Sequence, residues 1–145
     1  MADRNERWVM NHLIEMCRDD ELALRFAAEH VQNQVARTLL TNLAERRAEF
    51  AEELLPFAQR LGGVVAGDGS TGAALHRGWL AVKQKLVGPS DTTMLDEAEH
   101  DERSMLAGYE DALNRMLPPT ARPVIERQCG EIRMAHRQVQ DLLPH

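Results

Sequence analysis

Apolar residues recur at intervals of three and four along most of the chain, which is the spacing of amphipathic helices. Four long stretches follow this pattern, over about residues 4–30, 33–61, 91–117 and 120–143, and a shorter one covers about 72–87. The β-branched and aromatic residues that favour strands are scarce, while Ala, Leu, Glu and Arg dominate. The pattern predicts an all-α protein.

Apolar stripes predict the buried face of the first three long helices, with Trp8 expected to pack as well. The stripes are Val9, Leu13, Met16, Leu24 and Ala27 in the first helix; Val35, Leu39, Leu43, Phe50, Phe57 and Leu61 in the second; and Leu95, Ala98, Met105, Tyr109, Ala112 and Met116 in the third. Glu102 extends the third stripe, so a carboxylate is predicted where the core should be.

Residues that typically begin or end helices separate the predicted helices. Asn33 is a candidate N-cap, Ser90 or Asp91 is another, and Thr120 is a third. Gly62-Gly63 is expected to end the second helix, because glycine tolerates the left-handed backbone that closes helices. Pro118-Pro119 is expected to end the third.

The lengths of the links predict the topology. The first two long helices are joined by two or three residues, and so are the last two, which favours two antiparallel hairpins. About 27 residues, 63–89, separate the hairpins and contain the shorter helix. Two hairpins joined by one long crossover form a ferritin-like four-helix bundle, so residues 1–145 are predicted to form one domain of this kind.

Composition excludes several functions. The chain has 145 residues and a formal net charge of −6, which argues against binding nucleic acid or an anionic membrane surface. No apolar run approaches the roughly 20 residues that span a bilayer, and residues 1–10 lack the apolar stretch of a signal peptide, so a cytoplasmic location is expected. Cys17 and Cys129 are expected to be buried hydrophobic residues rather than a disulfide.

Several short stretches resemble one bacterial family of uncharacterised four-helix-bundle proteins, a domain of unknown function in the ferritin-like superfamily. They are Leu13-Ile14-Glu15, the run from Ala74 to Trp79, the run from Tyr109 to Leu113, and the run from Glu131 to His136. The similarity covers about residues 9–142. It implies the ferritin-like fold and no particular activity, since fold alone does not confer function.

Ferritin-like relatives that bind metal hold two iron or manganese ions, through a Glu from each of two helices and a Glu-x-x-His from each of the other two. On this basis Glu15, Glu49, Glu102 and His136 are candidate ligands, and Glu131 and Glu99 are candidate bridging or outer carboxylates. Iron or manganese is expected ahead of zinc. Metal-dependent oxidation or peroxide handling is the reaction class that such a site predicts.

Two departures from that motif leave a second hypothesis open. The second predicted helix has no histidine, and Glu131 and His136 are five residues apart instead of three. The alternative is a metal-free structural or interaction bundle, in which the inward carboxylates pair with Arg46, Arg47 or Arg133. Either bundle is expected to form a homodimer or another homo-oligomer.

Overall fold

The computed structural model describes residues 2–62 and 90–144, which contain four α-helices and no strand. The helices are α1 (Ala2–His30), α2 (Gln34–Arg60), α3 (Asp91–Leu113) and α4 (Arg122–Leu142). The all-α prediction is confirmed for these ranges, and the predicted short helix over about 72–87 lies outside them. None of these four helices is both long and apolar enough to cross a membrane.

The four helices pack as a bundle. α1 contacts α2 and α3, and α4 contacts α3 and α2, so α1 lies diagonally opposite α4, and α2 opposite α3. The Asp91 carboxylate at the start of α3 accepts hydrogen bonds from the backbone N–H groups of Gln32 and Asn33, at 2.7 and 2.9 Å. Because α2 starts at the same point, α2 and α3 begin at the same end and run in the same direction.

The hydrophobic core forms two clusters, one toward each end of the bundle. Along α1 the first cluster ends at Cys17 and the second begins at Leu24. Along α2 the corresponding boundary falls between Ala44 and Phe50, and along α3 between Ala98 and Met105. A polar residue occupies each of these boundaries, so a polar layer divides the core.

Three of the predicted helix ends are confirmed. The Asn33 side chain accepts a hydrogen bond from the Ala36 N–H at 3.0 Å, and the Ser90 hydroxyl accepts one from the Thr93 N–H at 3.2 Å. Gly62 follows α2 with a φ of +78°, in the left-handed region that glycine tolerates. These side chains and this backbone turn satisfy polar groups that helix ends otherwise leave unpaired.

The link between α3 and α4 differs from the prediction. α3 ends at Leu113, four residues earlier than expected, so Met116 lies outside the helix and is 64% exposed. Thr120 does not cap α4, because the Pro118 carbonyl instead accepts hydrogen bonds from the N–H groups of Ala121 and Arg122. The proline turn therefore satisfies the first donors of α4 through the backbone.

Two predicted packing residues lie at the surface. Val35 is 65% exposed, because the buried face of α2 runs through Ala36 and Leu40 instead. Trp8 is 54% exposed and stacks on His12 with 4.8 Å between the ring centroids, while the Arg115 guanidinium lies 5.5 Å from its ring. The tryptophan is thus held by surface contacts.

A glycine allows α1 and α3 to pack closely. A Cβ atom at Gly108 would lie 2.2 Å from Cε of Met16, so the methionine side chain rests where any other residue would place its Cβ. Gly108 lies on α3 between Glu102 and Tyr109 in the sequence, and its missing side chain leaves the space that the Met16 side chain of α1 occupies.

Candidate functional site

Three charged side chains from three helices meet between the two hydrophobic clusters. Arg47 of α2 donates from Nε to Asp20 Oδ2 of α1 at 2.9 Å, and from Nη2 to Glu102 Oε2 of α3 at 2.5 Å. Arg47 is 1% exposed, Asp20 4% and Glu102 0%. We call Asp20, Arg47 and Glu102 the buried triad.

The buried triad contains two carboxyl groups and one guanidinium group. Burial raises the pKa of Asp20 well above its ordinary value, and the adjacent Glu102 carboxyl raises it further, while Arg47 lowers it only in part. For Arg47, burial disfavours the charged form, but the Glu102 and Asp20 carboxylates raise its pKa overall. Arg47 is therefore a permanent cation here, and the surroundings of Asp20 favour its protonated form.

A second set of hydrogen bonds begins beside the triad. The Tyr109 hydroxyl of α3 lies 3.2 Å from Cys17 Sγ of α1 and donates to Gln128 Oε1 of α4 at 2.7 Å. Gln128 in turn donates from Nε2 to the Phe50 carbonyl at 3.4 Å and to Glu53 Oε1 at 3.1 Å, both on α2. The chain of contacts therefore joins all four helices.

The thiol and the phenol of this second set both favour their protonated forms. Burial raises the pKa of the Cys17 thiol to about 12, although the Tyr109 hydrogen bond and the Arg47 charge oppose the shift. Burial also raises the pKa of Tyr109 well above its ordinary value. A thiol that stays protonated is a poor nucleophile and a poor metal ligand. Cys17 and Cys129 are both buried and free, so the expectation that they act as buried hydrophobic residues is confirmed.

Ion pairs join α2 to α4 at the partly exposed side of the bundle. Arg46 donates from Nη2 to both carboxylate oxygens of Glu131 at 2.8 Å and from Nη1 to Glu49 at 2.5 Å. Arg127 pairs with Glu131 at 2.9 Å and with Glu53. These long side chains link α2 to α4.

The six predicted ligand residues lie in several separate parts of the structure. Glu102 lies in the buried triad, while Glu49 and Glu131 are bridged by Arg46. Glu99 and His136 meet across α3 and α4, with His136 Nε2 3.4 Å from Glu99 Oε2. Glu15 lies partly exposed on α1, where its charge adds to the burial that raises the pKa of Asp19 to about 6.

These residues do not fit a di-metal site as they stand. In residues 2–62 and 90–144, no three His, Cys, Asp or Glu side chains are close enough together to share a metal ion. The innermost predicted ligand, Glu102, already binds a guanidinium group, and that cation would compete with a metal for the same oxygen. Metal binding by this set stays a prediction.

Two buried polar residues escaped the sequence reasoning. Asp20 follows Cys17 by three positions and precedes Leu24 by four, which places it on the apolar stripe of α1. Gln128 lies between Ile125 and Ile132 in the same way on α4. Both could have been found from the sequence, because each is a polar residue at a position where the apolar stripe of its helix continues.

Most of the chain matches a known protein family. Residues 7–115 match the domain of unknown function DUF2383. The chain belongs to the DUF2383 family. The matched range contains all of α2 and α3 and the whole buried triad, and it ends before Gln128, Glu131 and His136 on α4. No curated protein matches the chain. The predicted membership of an uncharacterised family is thus confirmed, and the DUF2383 match names no activity.

Proposed function

We propose that this DUF2383 protein is a metal-free helical bundle that acts as a structural or protein-interaction unit. The observation that supports this proposal is the Arg47 guanidinium at the centre of the bundle, 2.5 Å from Glu102 and 2.9 Å from Asp20. A positive charge already occupies the position where the inward carboxylates converge. The buried carboxylates therefore serve to hold α1, α2 and α3 together, not to bind an external cation.

The finer assignment within this proposal is a ferritin-like bundle from a bacterial cytoplasm. The direction of the helices supports the ferritin-like topology, because α2 and α3 begin at one end, as two hairpins joined by a long crossover require. The net charge of −6 is in keeping with a protein that avoids anionic partners such as nucleic acid.

Self-association is part of the same proposal. Large apolar side chains lie exposed on three helices and one link, and they offer contact surface to a second copy: Trp8, Leu22, Val35, Met116 and Met134. Sedimentation velocity over a wide concentration range tests this. A dimer whose fraction grows with concentration is expected, and a monomer at every concentration would contradict it.

The second candidate is a weak site for iron or manganese, with zinc behind them. The contact that favours it is Glu99 with His136, two predicted ligands that the fold brings to 3.4 Å. Both side chains are mostly buried, as ligands of a bundle site would be. This candidate predicts metal-dependent oxidation or peroxide chemistry.

Elemental analysis of protein purified without chelator separates the two candidates. The metal-free proposal predicts far less than one metal per chain and a melting temperature unchanged by added Fe²⁺, Mn²⁺ or Zn²⁺, because a ligand that binds only the native state must stabilise it. Stoichiometric metal that is lost in Glu99→Ala and His136→Ala, but kept in the exposed control His100→Ala, would overturn it.

A further inference from the structure

The buried triad carries unequal numbers of opposite charges. Asp20 and Glu102 would together contribute two negative charges if both were ionised, against one positive charge from Arg47. All three side chains are almost completely removed from solvent. A net charge left in such a place is strongly unfavourable, so the triad needs one further positive equivalent.

The geometry of the two carboxyl groups indicates what that equivalent is. Asp20 and Glu102 both bind the Arg47 guanidinium, through Oδ2 and Oε2 respectively. Each also keeps one buried oxygen, Asp20 Oδ1 and Glu102 Oε1, that accepts no hydrogen bond. Two ionised carboxylates have acceptors only, whereas a protonated carboxyl group brings an O–H donor.

The surrounding groups point the same way. On its own helix Asp20 has Cys17 nearby, whose thiol stays protonated and so adds no charge. Arg47 faces Asp20 from α2. From α3 the negative charges of Glu102 and Asp101 both favour the protonated form of Asp20. Only Arg47 among these groups favours ionisation, and it shares its charge with Glu102.

We propose that Asp20 and Glu102 hold one proton between them beside Arg47, which makes the centre of the bundle a proton-binding site that joins α1, α2 and α3. With the proton in place, one neutral carboxyl group donates to one carboxylate, and that carboxylate is neutralised by the guanidinium. This inference is independent of what the bundle binds at its surface.

The proton links folding to pH with a definite sign. The pKa of Asp20 is raised in the folded state, so the folded chain keeps a proton that the unfolded chain releases. The stability that this proton contributes is complete below the ordinary carboxyl pKa and is lost as pH rises through the raised value. Between those limits one proton changes the unfolding equilibrium constant by about tenfold per pH unit.

Urea unfolding of Asp20→Asn and wild type, followed by circular dichroism from about pH 4 to about pH 9, tests the proposal. Asparagine has nearly the shape of a protonated aspartic acid and donates from its amide to Glu102, but it cannot ionise. The ratio of the wild-type to the variant unfolding constant should rise by about tenfold per pH unit within the window.

Asp19→Asn is the matched control. Asp19 is the preceding residue, and burial together with the Glu15 charge raises its pKa to about 6, so its own contribution ends near that pH. This control should keep the slope that Asp20→Asn removes above pH 6. Glu102→Gln is a second test, because it also removes the excess charge and should flatten the same slope even if Asp20→Asn folds poorly.

Two results would overturn the proposal. A constant ratio between wild type and Asp20→Asn across the whole pH range would show that no proton is held at this pair. Stabilisation of wild type by added Mn²⁺ at neutral pH, abolished in Asp20→Asn and kept in Asp19→Asn, would show that a metal cation and not a proton balances the triad.

Discussion

A guanidinium group inside a hydrophobic core is stable only while its carboxylate partners remain beside it. Arg47 is that group here, since it donates to Asp20 through Nε and to Glu102 through Nη2. Its guanidinium carbon also lies 5.0 Å from the centre of the Phe50 ring. The three contacts leave the side chain little freedom, so its replacement affects charge and packing at once.

Arg47→Met should be strongly destabilising. The variant leaves Asp20 and Glu102 buried without a cation, and breaking a buried ion pair in this way costs about 3–5 kcal/mol. The free energy of unfolding from urea titration measures the effect. The control is Arg60→Met on the same helix, where an exposed guanidinium lies over Phe57 and its loss should cost less than about 1 kcal/mol. Equal costs for the two variants would contradict the role assigned to Arg47.

The same residues show what an apolar pattern can and cannot predict. Glu102 was predicted to face inward because it continues the stripe of α3, and it is fully buried. Asp20 was passed over because the stripe of α1 was read from Met16 directly to Leu24. Val35 was assigned inward because it lies at helical spacing from Leu39 and Leu43, whereas the buried face of α2 includes Ala36 and Leu40. An apolar stripe therefore predicts that a helix has a buried face more reliably than it predicts every residue on that face.

At the scale of the helices, residues at helix starts form hydrogen bonds with other segments of the chain. Asp91 is the first residue of α3, and its carboxylate accepts from Gln32 and Asn33 in the link between α1 and α2. Arg122 at the start of α4 donates to the carbonyls of Leu113, the last residue of α3, and of Arg115 in the following link. The start of α3 therefore binds the α1–α2 link, and the start of α4 binds the end of α3.

Asp91→Ala should loosen the α1–α2 link. The change removes two charge-assisted hydrogen bonds at a partly exposed position, with an expected cost of about 1–2 kcal/mol. Amide hydrogen exchange should become faster at Gln32 and Asn33. Asp96→Ala, at an exposed position of the same helix, serves as the control and should leave that exchange unchanged. Unaltered protection in Asp91→Ala would show that the link does not depend on the carboxylate.

Helix ends were predicted where a single residue type decides them. Asn33 and Ser90 have the side chains that cap helices, and Gly62 supplies a left-handed backbone, so all three were correct. The α3–α4 link was wrong because backbone carbonyls decide it. The Asp111 and Ala112 carbonyls accept from Asn114 and Arg115 and end α3, and the Pro118 carbonyl starts α4. Such bonds leave no trace in the identity of the capping residue.

At the scale of the whole molecule, the buried triad divides one core into two clusters. Sequence reasoning predicted four long helices packed as a bundle, which the described residues form. It also assigned Glu15, Glu49 and Glu131 to one metal site. Counting residues measures position along a helix axis, at about 1.5 Å per residue, but not rotation about it. Rotation is what separates the exposed Glu49 from the buried Glu102.

Replacing the whole buried triad at once tests why the bundle keeps it. In a triple variant with Asp20→Leu, Arg47→Met and Glu102→Met, no charge remains to be desolvated, and the two hydrophobic clusters can merge. Exchanges of this kind are often neutral or stabilising by about 1–4 kcal/mol. We therefore expect a helical protein at least as stable as wild type, in contrast to the single Arg47→Met variant, with the pH dependence that Asp20 introduces removed. Urea unfolding at several pH values measures both effects.

A more stable triple variant would mean that the triad is not kept for stability. The chain would then keep three buried ionisable side chains at a net cost, which is reasonable only if they supply something that an apolar layer cannot, such as a fixed helix register or a bound proton. The spread of chemical shifts in nuclear magnetic resonance spectra of the triple variant distinguishes the register role from the proton-binding role. Sharp, dispersed signals would exclude the register role and leave proton binding, whereas collapsed signals would assign the triad to specifying a single packing of the four helices. A triple variant as unstable as Arg47→Met would contradict the desolvation argument itself.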